Sequence, residues 1–115
     1  MKRLLLIDDD AVFLNLLERA LSSYAQVSIA SSVHEALPLI ASQRWDVICS
    51  DINMRDGTGI DIYNFMEKHV CKADFILMTA HLQSEAIQQL AASKLPVWQK
   101  ISPDFLWEFK TLLIE

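Results

Sequence analysis

Apolar residues in this chain fall into two alternating rhythms. The runs Leu4–Ile7, Val47–Cys49 and Phe75–Met78 are unbroken by polar residues, which predicts strands buried on both faces rather than half-exposed ones. The first of them should lie centrally in its sheet. Between the runs, apolar positions recur at helical spacing. Val12, Phe13, Leu16, Leu17, Ala20 and Leu21 predict a helix over Ala11–Tyr24, capped by one of the three aspartates before it. Gln26–Ala30 alternates weakly at Val27 and Ile29 and predicts an edge strand.

Ser32-Val33-His34-Glu35 has the S-x-x-E form of a capping box, so a helix should run to about Ser42, with Pro38 able to bend it. A third strand follows over Trp45–Ser50, then a loop at Asp56–Gly59 with turn chemistry. Ile60, Ile62, Tyr63, Phe65 and Met66 supply a third helix to about His69. Asp74–Met78 is the fourth strand, and Ser84–Ser93 a fourth helix with Ala86, Ile87, Leu90 and Ala91 inward. Pro96–Lys100 is the fifth strand. Ser102-Pro103-Asp104 then starts a last helix, with hydroxyl cap, proline and first-turn acid in order, and Phe105, Phe109 and Leu112 as its inner stripe.

Five strands alternating with helices through short connections predict an α/β fold: a three-layer sandwich with a parallel sheet, helices on both faces and right-handed crossovers. A single domain over residues 1–115 is expected, since a chain of this size buries roughly two-thirds of its unfolded surface. Composition agrees, with 52% apolar residues, two Gly and three Pro. The net charge of −5 argues against non-specific binding to nucleic acid or anionic membranes. Met1-Lys2-Arg3 before four aliphatics has the opening of a signal peptide, yet acids follow at once and no small-residue cleavage site appears. No apolar run approaches the length of a membrane span, and a cytoplasmic location is expected. Cys49 and Cys71 lack metal-ligand or C-x-x-C spacing and are expected to be reduced, structural thiols.

Chemistry enters where the strands stop. The first ends at Asp8-Asp9-Asp10, the third at Asp51-Ile52-Asn53-Met54, the fourth at Thr79 and the fifth at Lys100. In an open parallel sheet these ends converge on one crevice. A cap, a turn, a strand end and a surface charge would explain each group alone, but all four must land independently at the same edge. Two carboxylates ~4 Å apart repel by roughly 4 kcal/mol at an effective dielectric near ~20, and up to three would face a single lysine. A hard divalent cation fits: Mg2+ takes oxygen ligands and is typically held by one or two carboxylates plus phosphate. His34, His69 and His81 are scattered and offer no softer metal a home. Beside a cation, one carboxylate can attack a phosphoryl group to give an aspartyl-phosphate, with Thr79 and Lys100 on its oxygens.

The acid pair after the first strand, Asp51 with Met54 and Gly57-x-Gly59 behind it, Thr79-Ala80 and Lys100 together resemble the receiver domain of two-component response regulators, over essentially the whole chain. The resemblance implies a flavodoxin-like strand order 2-1-3-4-5 and phosphorylation of Asp51 by a histidine kinase, a phosphotransfer protein or a small phosphodonor. It implies that Asp9 and the Asp51 side chain ligate Mg2+ with the backbone carbonyl of Asn53, and that Asp8 acts mostly through water. Thr79 would hydrogen-bond the phosphoryl group and Lys100 would pair with it. Asn53 and His81 occupy positions that in this family modulate phosphoryl lifetime.

The chain departs from the family at several positions. Ile101 follows the lysine where proline is common, and a cis bond to a non-proline costs about 2.5–4 kcal/mol. Arg55 replaces a usual proline. Val97 stands where an aromatic usually swings inward, and Trp98 should point to the opposite sheet face. Trp107, Thr111 and Ile114 lie outward on the last helix, which suggests a homodimer or effector contact through the fourth and fifth helices. Two rival readings remain. Leu5–Val12 also resembles the first motif of haloacid-dehalogenase-like phosphatases, with Asp8 as nucleophile and Asp10 as acid/base, although the late acidic pair is missing. The other rival is a degenerate receiver that binds partners without phosphorylation.

Overall fold

The computed structural model describes residues 1–80, 95–100 and 104–114. Its elements are β1 (Arg3–Ile7), α1 (Ala11–Leu21), β2 (Gln26–Ala30), α2 (Val33–Ser42), β3 (Val47–Asp51), β4 (Asn53–Met54), β5 (Gly57–Thr58), α3 (Gly59–Lys68), β6 (Asp74–Thr79), β7 (Val97–Gln99) and α4 (Phe105–Ile114). The helix predicted at Ser84–Ser93, His81, Ile101 and the start signal Ser102-Pro103 lie outside the described residues. Five strands pair in parallel in the order β2-β1-β3-β6-β7, the order that the resemblance implies.

Register decides where the polar strand ends meet. Ile7 lies opposite Ser50, Asp51 opposite Met78 and Thr79 opposite Gln99. Asp8, Asp51, Thr79 and Lys100 therefore finish along one rim. Because side chains alternate across a strand, the central strands feed two cores. On one face Leu5, Ile7, Ile48 and Leu77 pack with Ile40 of α2 and Ile62 and Met66 of α3. On the other, Leu4, Leu6, Val47, Cys49 and Met78 pack with Leu14 and Leu17 of α1 and with Phe105 and Phe109 of α4. Val97 belongs to the first face and Trp98 to the second, as alternation predicts.

Four local expectations need correction. The buried stripe of α1 is Leu14, Leu17 and Leu21, while Val12 and Leu16 are 71% and 59% exposed. At about 100° per residue Val12 and Leu14 stand about 200° apart, so a helix this rich in apolar residues cannot bury all of them. Ser32 does cap α2 through the Glu35 amide, but the Glu35 carboxylate accepts from Ser31 rather than from Ser32. A reciprocal capping box forms instead at α3, between Thr58 and Asp61. The loop after Asp51 closes a short antiparallel pair, β4 with β5. Along α4 the fully buried residue after Phe105 and Phe109 is Leu113, and Leu112 is only partly covered.

Candidate functional site

The site begins with three consecutive acids that the backbone sends in different directions. Asp8 continues β1, its amide bonding the Ala30 carbonyl, and its side chain is fully buried. One Asp8 oxygen accepts from the Asp10 amide at 2.9 Å and the other from Lys100 Nζ at 2.5 Å. Asp10 turns outward as the N-cap of α1, accepting from the Phe13 amide at 3.1 Å, where a carboxylate also complements the helix dipole. That role leaves nothing in favour of Asp10 as an acid/base. Asp9, between them, is half-buried and faces the crevice.

Asp51 ends β3 with its side chain 18% exposed. Its Oδ1 accepts from the Ile52 amide at 2.9 Å, and its Oδ2 lies 3.4 Å from Lys100 Nζ. The chain then turns sharply, with the Gly59 amide donating to the Ile52 carbonyl at 2.9 Å. A Cβ on Gly59 would lie 2.5 Å from Leu77 Cδ2 and 2.7 Å from the Asp51 carbonyl oxygen. Only glycine lets α3 start this close to the end of β3. Asp56 fastens the same loop to α2, its two oxygens accepting from the Val33 and His34 amides at 3.0 and 2.8 Å. Those amide bonds hold its carboxyl below the usual range. Nothing in the local sequence marks Asp56 for this task, since its partners are more than twenty residues earlier.

Lys100 follows β7, where its amide donates to the Thr79 carbonyl at 2.8 Å. Thr79 is buried beside it. The ammonium rests between Asp8 and Asp51 and over the Phe13 ring, 4.8 Å from its centroid. Burial pulls the lysine pKa down, but the Asp8 hydrogen bond and the charges of Asp51 and Asp8 outweigh it and hold it above the ordinary value. Asp51 goes the other way for a carboxylate. Burial first and the Asp8 charge second push it up to about 6, against the pull of Lys100.

One oxygen each from Asp8, Asp9 and Asp51 lie within 4.8 Å of one another. Among the described residues three carboxylates gather beside one ammonium, and Lys100 is engaged first by Asp8. The donor set is all oxygen, and the separations suit a small cation with bonds of about 2.1 Å, so the residues present fit Mg2+. Asn53 is exposed at the start of β4, and Arg55 is exposed beyond it. The predicted residues Asp8, Asp9, Asp51, Thr79 and Lys100 thus come together, with Asn53 adjacent. Phe13, assigned to the core by its spacing, also reaches the site.

Known proteins share this fold and its sequence pattern. The sequence profile of the family described as "Response regulator receiver domain" matches residues 4–96. The sensory transduction protein LytR of Staphylococcus saprophyticus is 32% identical over 82 residues, covering 69% of this chain and 32% of its own length. The chain therefore spans about a third of that curated relative. Among solved structures, the response regulator TrrA of Thermotoga maritima in complex with Mg2+ and BeF superposes with a TM-score of 0.81 at 28% identity, over 98% of this chain and 99% of that one. Chemotaxis response regulator CheY4 of Vibrio cholerae gives 0.80 at 24% identity over 98% of both chains. A response regulator from Burkholderia pseudomallei with a phosphorylated aspartic acid and a calcium ion gives 0.74 at 24%, over 89% of this chain and 61% of that one.

Proposed function

Because this chain belongs to the response regulator receiver domain family, we propose that residues 1–115 form one receiver domain whose phosphoacceptor is Asp51. The observation that carries the reading is the convergence of Asp8, Asp9 and Asp51 within 4.8 Å of one another beside Lys100. Asp51 Oδ2, the oxygen not taken by the Ile52 amide, attacks the phosphorus of a phosphohistidine or acyl phosphate. The new bond is O–P, and the bond broken is P–N to imidazole or P–O to the acyl group. Lys100 then offers its ammonium to the phosphoryl oxygens, and Thr79 offers its hydroxyl.

Asp9, Asp51 and the Asn53 backbone carbonyl would hold Mg2+, with Asp8 acting mostly through water while it also orients Lys100. When bound, the ion supplies charge neutralisation to carboxylates and phosphoryl oxygens alike. Phosphoryl donors are a histidine kinase, a phosphotransfer protein or a small phosphodonor, in the cytoplasm. Output passes through contact with a second copy or an effector segment on α4, where Trp107 and Ile114 are 68% and 73% exposed. Light scattering with and without a phosphoryl mimic tests that contact, and an unchanged monomer at high concentration counts against it.

Intact-mass measurement after incubation with acetyl phosphate and Mg2+ tests the main reading. The expected result is a gain of one phosphoryl group that Asp51→Asn abolishes. A gain that survives Asp51→Asn but is lost in Asp8→Asn would support the phosphatase reading. No gain, with no Mg2+ binding, would support the degenerate module.

A further inference from the structure

The geometry points to Phe13 as a positioning residue that holds the Lys100 ammonium at the carboxylate cluster. This inference rests on the reading of Asp51 as phosphoacceptor. The Lys100 side chain is only 10% exposed, and among the described residues three groups surround its nitrogen: Asp8 Oδ2 at 2.5 Å, Asp51 Oδ2 at 3.4 Å and the Phe13 ring centroid at 4.8 Å. That last distance is inside the ~6 Å range in which a ring face attracts a cation, and the attraction grows when the cation is desolvated. An ammonium has three N–H donors. Two sides here meet carboxylates and the third meets a ring face, which stabilises positive charge without adding an anion to compete for it.

Phe13 is itself fixed from two directions. Its amide is held by the Asp10 cap in the first turn of α1. Its ring leans on Phe105 of α4 at 6.1 Å, and Phe105 in turn meets Trp98 and Phe109 edge-on. The motif that supplies Asp8 and Asp9 to the crevice therefore also sets, through Asp10, the wall behind Lys100. Lysine is a point charge on a flexible stem, and without that wall it is free to swing to solvent or to close on Asp51. With the ring in place it stays nearer Asp8 than Asp51. Asp51 Oδ2 then keeps only the longer, 3.4 Å contact with the ammonium, which an incoming phosphorus can displace while the ammonium stays within reach of the oxygens that gain charge.

The test uses the full chain with Phe13→Leu and Phe13→Met, which keep an apolar side chain but remove the ring, and Phe13→Tyr, which keeps it. In the metal-free wild type, the Lys100 Hε protons should resonate upfield through the ring current, and both ring-less variants should lose that shift. The rate of Asp51 phosphorylation by acetyl phosphate should fall about fivefold to thirtyfold in Phe13→Leu and recover in Phe13→Tyr, with Mg2+ affinity changing less than about twofold. In a Lys100→Met background, Phe13→Leu should have no further effect on the rate, because the two residues act as one unit. A Phe13→Leu defect of equal size in that background, or phosphorylation of both ring-less variants at the wild-type rate, would overturn the assignment. Wild-type Lys100 protons without an upfield shift would overturn it as well. If the wild type accepts no phosphoryl group, the phosphoacceptor reading fails, and the proton shifts still decide whether the ring holds the ammonium.

Discussion

The two rims of the sheet treat charge in opposite ways. At the rim where the strands begin, Arg3, Gln43, Trp45 and Asp46 form a set of mutually answering polar contacts. The Asp46 carboxylate accepts from the Arg3 amide at 2.7 Å, and the Asp46 carbonyl accepts from the Asp74 amide at 3.0 Å. The Arg3 guanidinium donates to the Gln43 side chain and lies over the Trp45 ring, whose indole N–H reaches the Leu39 carbonyl at 3.0 Å. At the rim where the strands end, three carboxylates of the described residues cluster, one lysine pairs with two of them, and Asp51 is pushed up to about 6. These groups at the first rim satisfy one another and close the structure. Those at the second stay under-compensated, which is the condition for taking up a cation and a phosphoryl group.

The largest effect should come from disturbing the backbone of the second rim. Gly59→Ala places a methyl group against Leu77 and the Asp51 carbonyl and should cost about 3 kcal/mol in urea unfolding, as overpacking against backbone does. A loss no larger than that of an exposed Gly→Ala change would mean that the turn after Asp51 is not rigid.

Next in size is the charge itself. An acid whose folded pKa is raised above its unfolded value costs stability at high pH, and that cost is relieved as pH falls through the folded pKa toward the unfolded one. For Asp51 the window runs from about 6 down to the ordinary 3.8. Asp51→Asn should therefore stabilise the metal-free protein at pH 7 by about 1 kcal/mol, after discounting for solvent screening and the lost Lys100 contact. The gain should vanish near pH 4. Added Mg2+ should raise the melting temperature of the wild type by mass action and that of the variant less. A destabilised variant at pH 7 would show that the rim is compensated after all.

At the opposite rim an awkward feature among the described residues is conformational. Val70, just past the end of α3, has φ 52° and is 74% exposed. A β-branched residue is poorly suited to the left-handed region. Val70→Gly should stabilise by about 0.5–1 kcal/mol without altering phosphorylation, and a loss of phosphorylation would connect the two rims. Smallest in free energy is the contrast between the thiols. Burial pushes the fully enclosed Cys49 well above the ordinary value, whereas Cys71 is partly exposed. A thiol reagent should label one cysteine of the native protein rapidly and the second only on unfolding.

Much of this architecture could be read from the chain. Unbroken apolar runs give buried parallel strands because both faces of the sheet are covered, and acids, hydroxyl and ammonium at their ends converge because parallel strands end together. The misreadings share one cause. Val12 and Leu16 fit a helical stripe yet face outward, and Glu35 fits a capping box yet bonds Ser31. In both, a local pattern admitted more than one partner: packing against the sheet chose the buried stripe of α1, and for Glu35 a residue one position earlier than the cap took the carboxylate.

Local order in the chain was enough to mark the polar groups at the strand ends and the strands that carry them, because strand formation and burial respond to residues within a few positions. Which groups touch was settled only by folding. Asp56 reaches α2, Lys100 lodges nearer Asp8 than Asp51, and Phe13 serves as the wall behind that lysine. These contacts join residues 23, 92 and 87 positions apart, and no periodicity in the chain encodes them. They arise because the sheet's register and the packing of α1 against α4 bring those atoms within bonding distance.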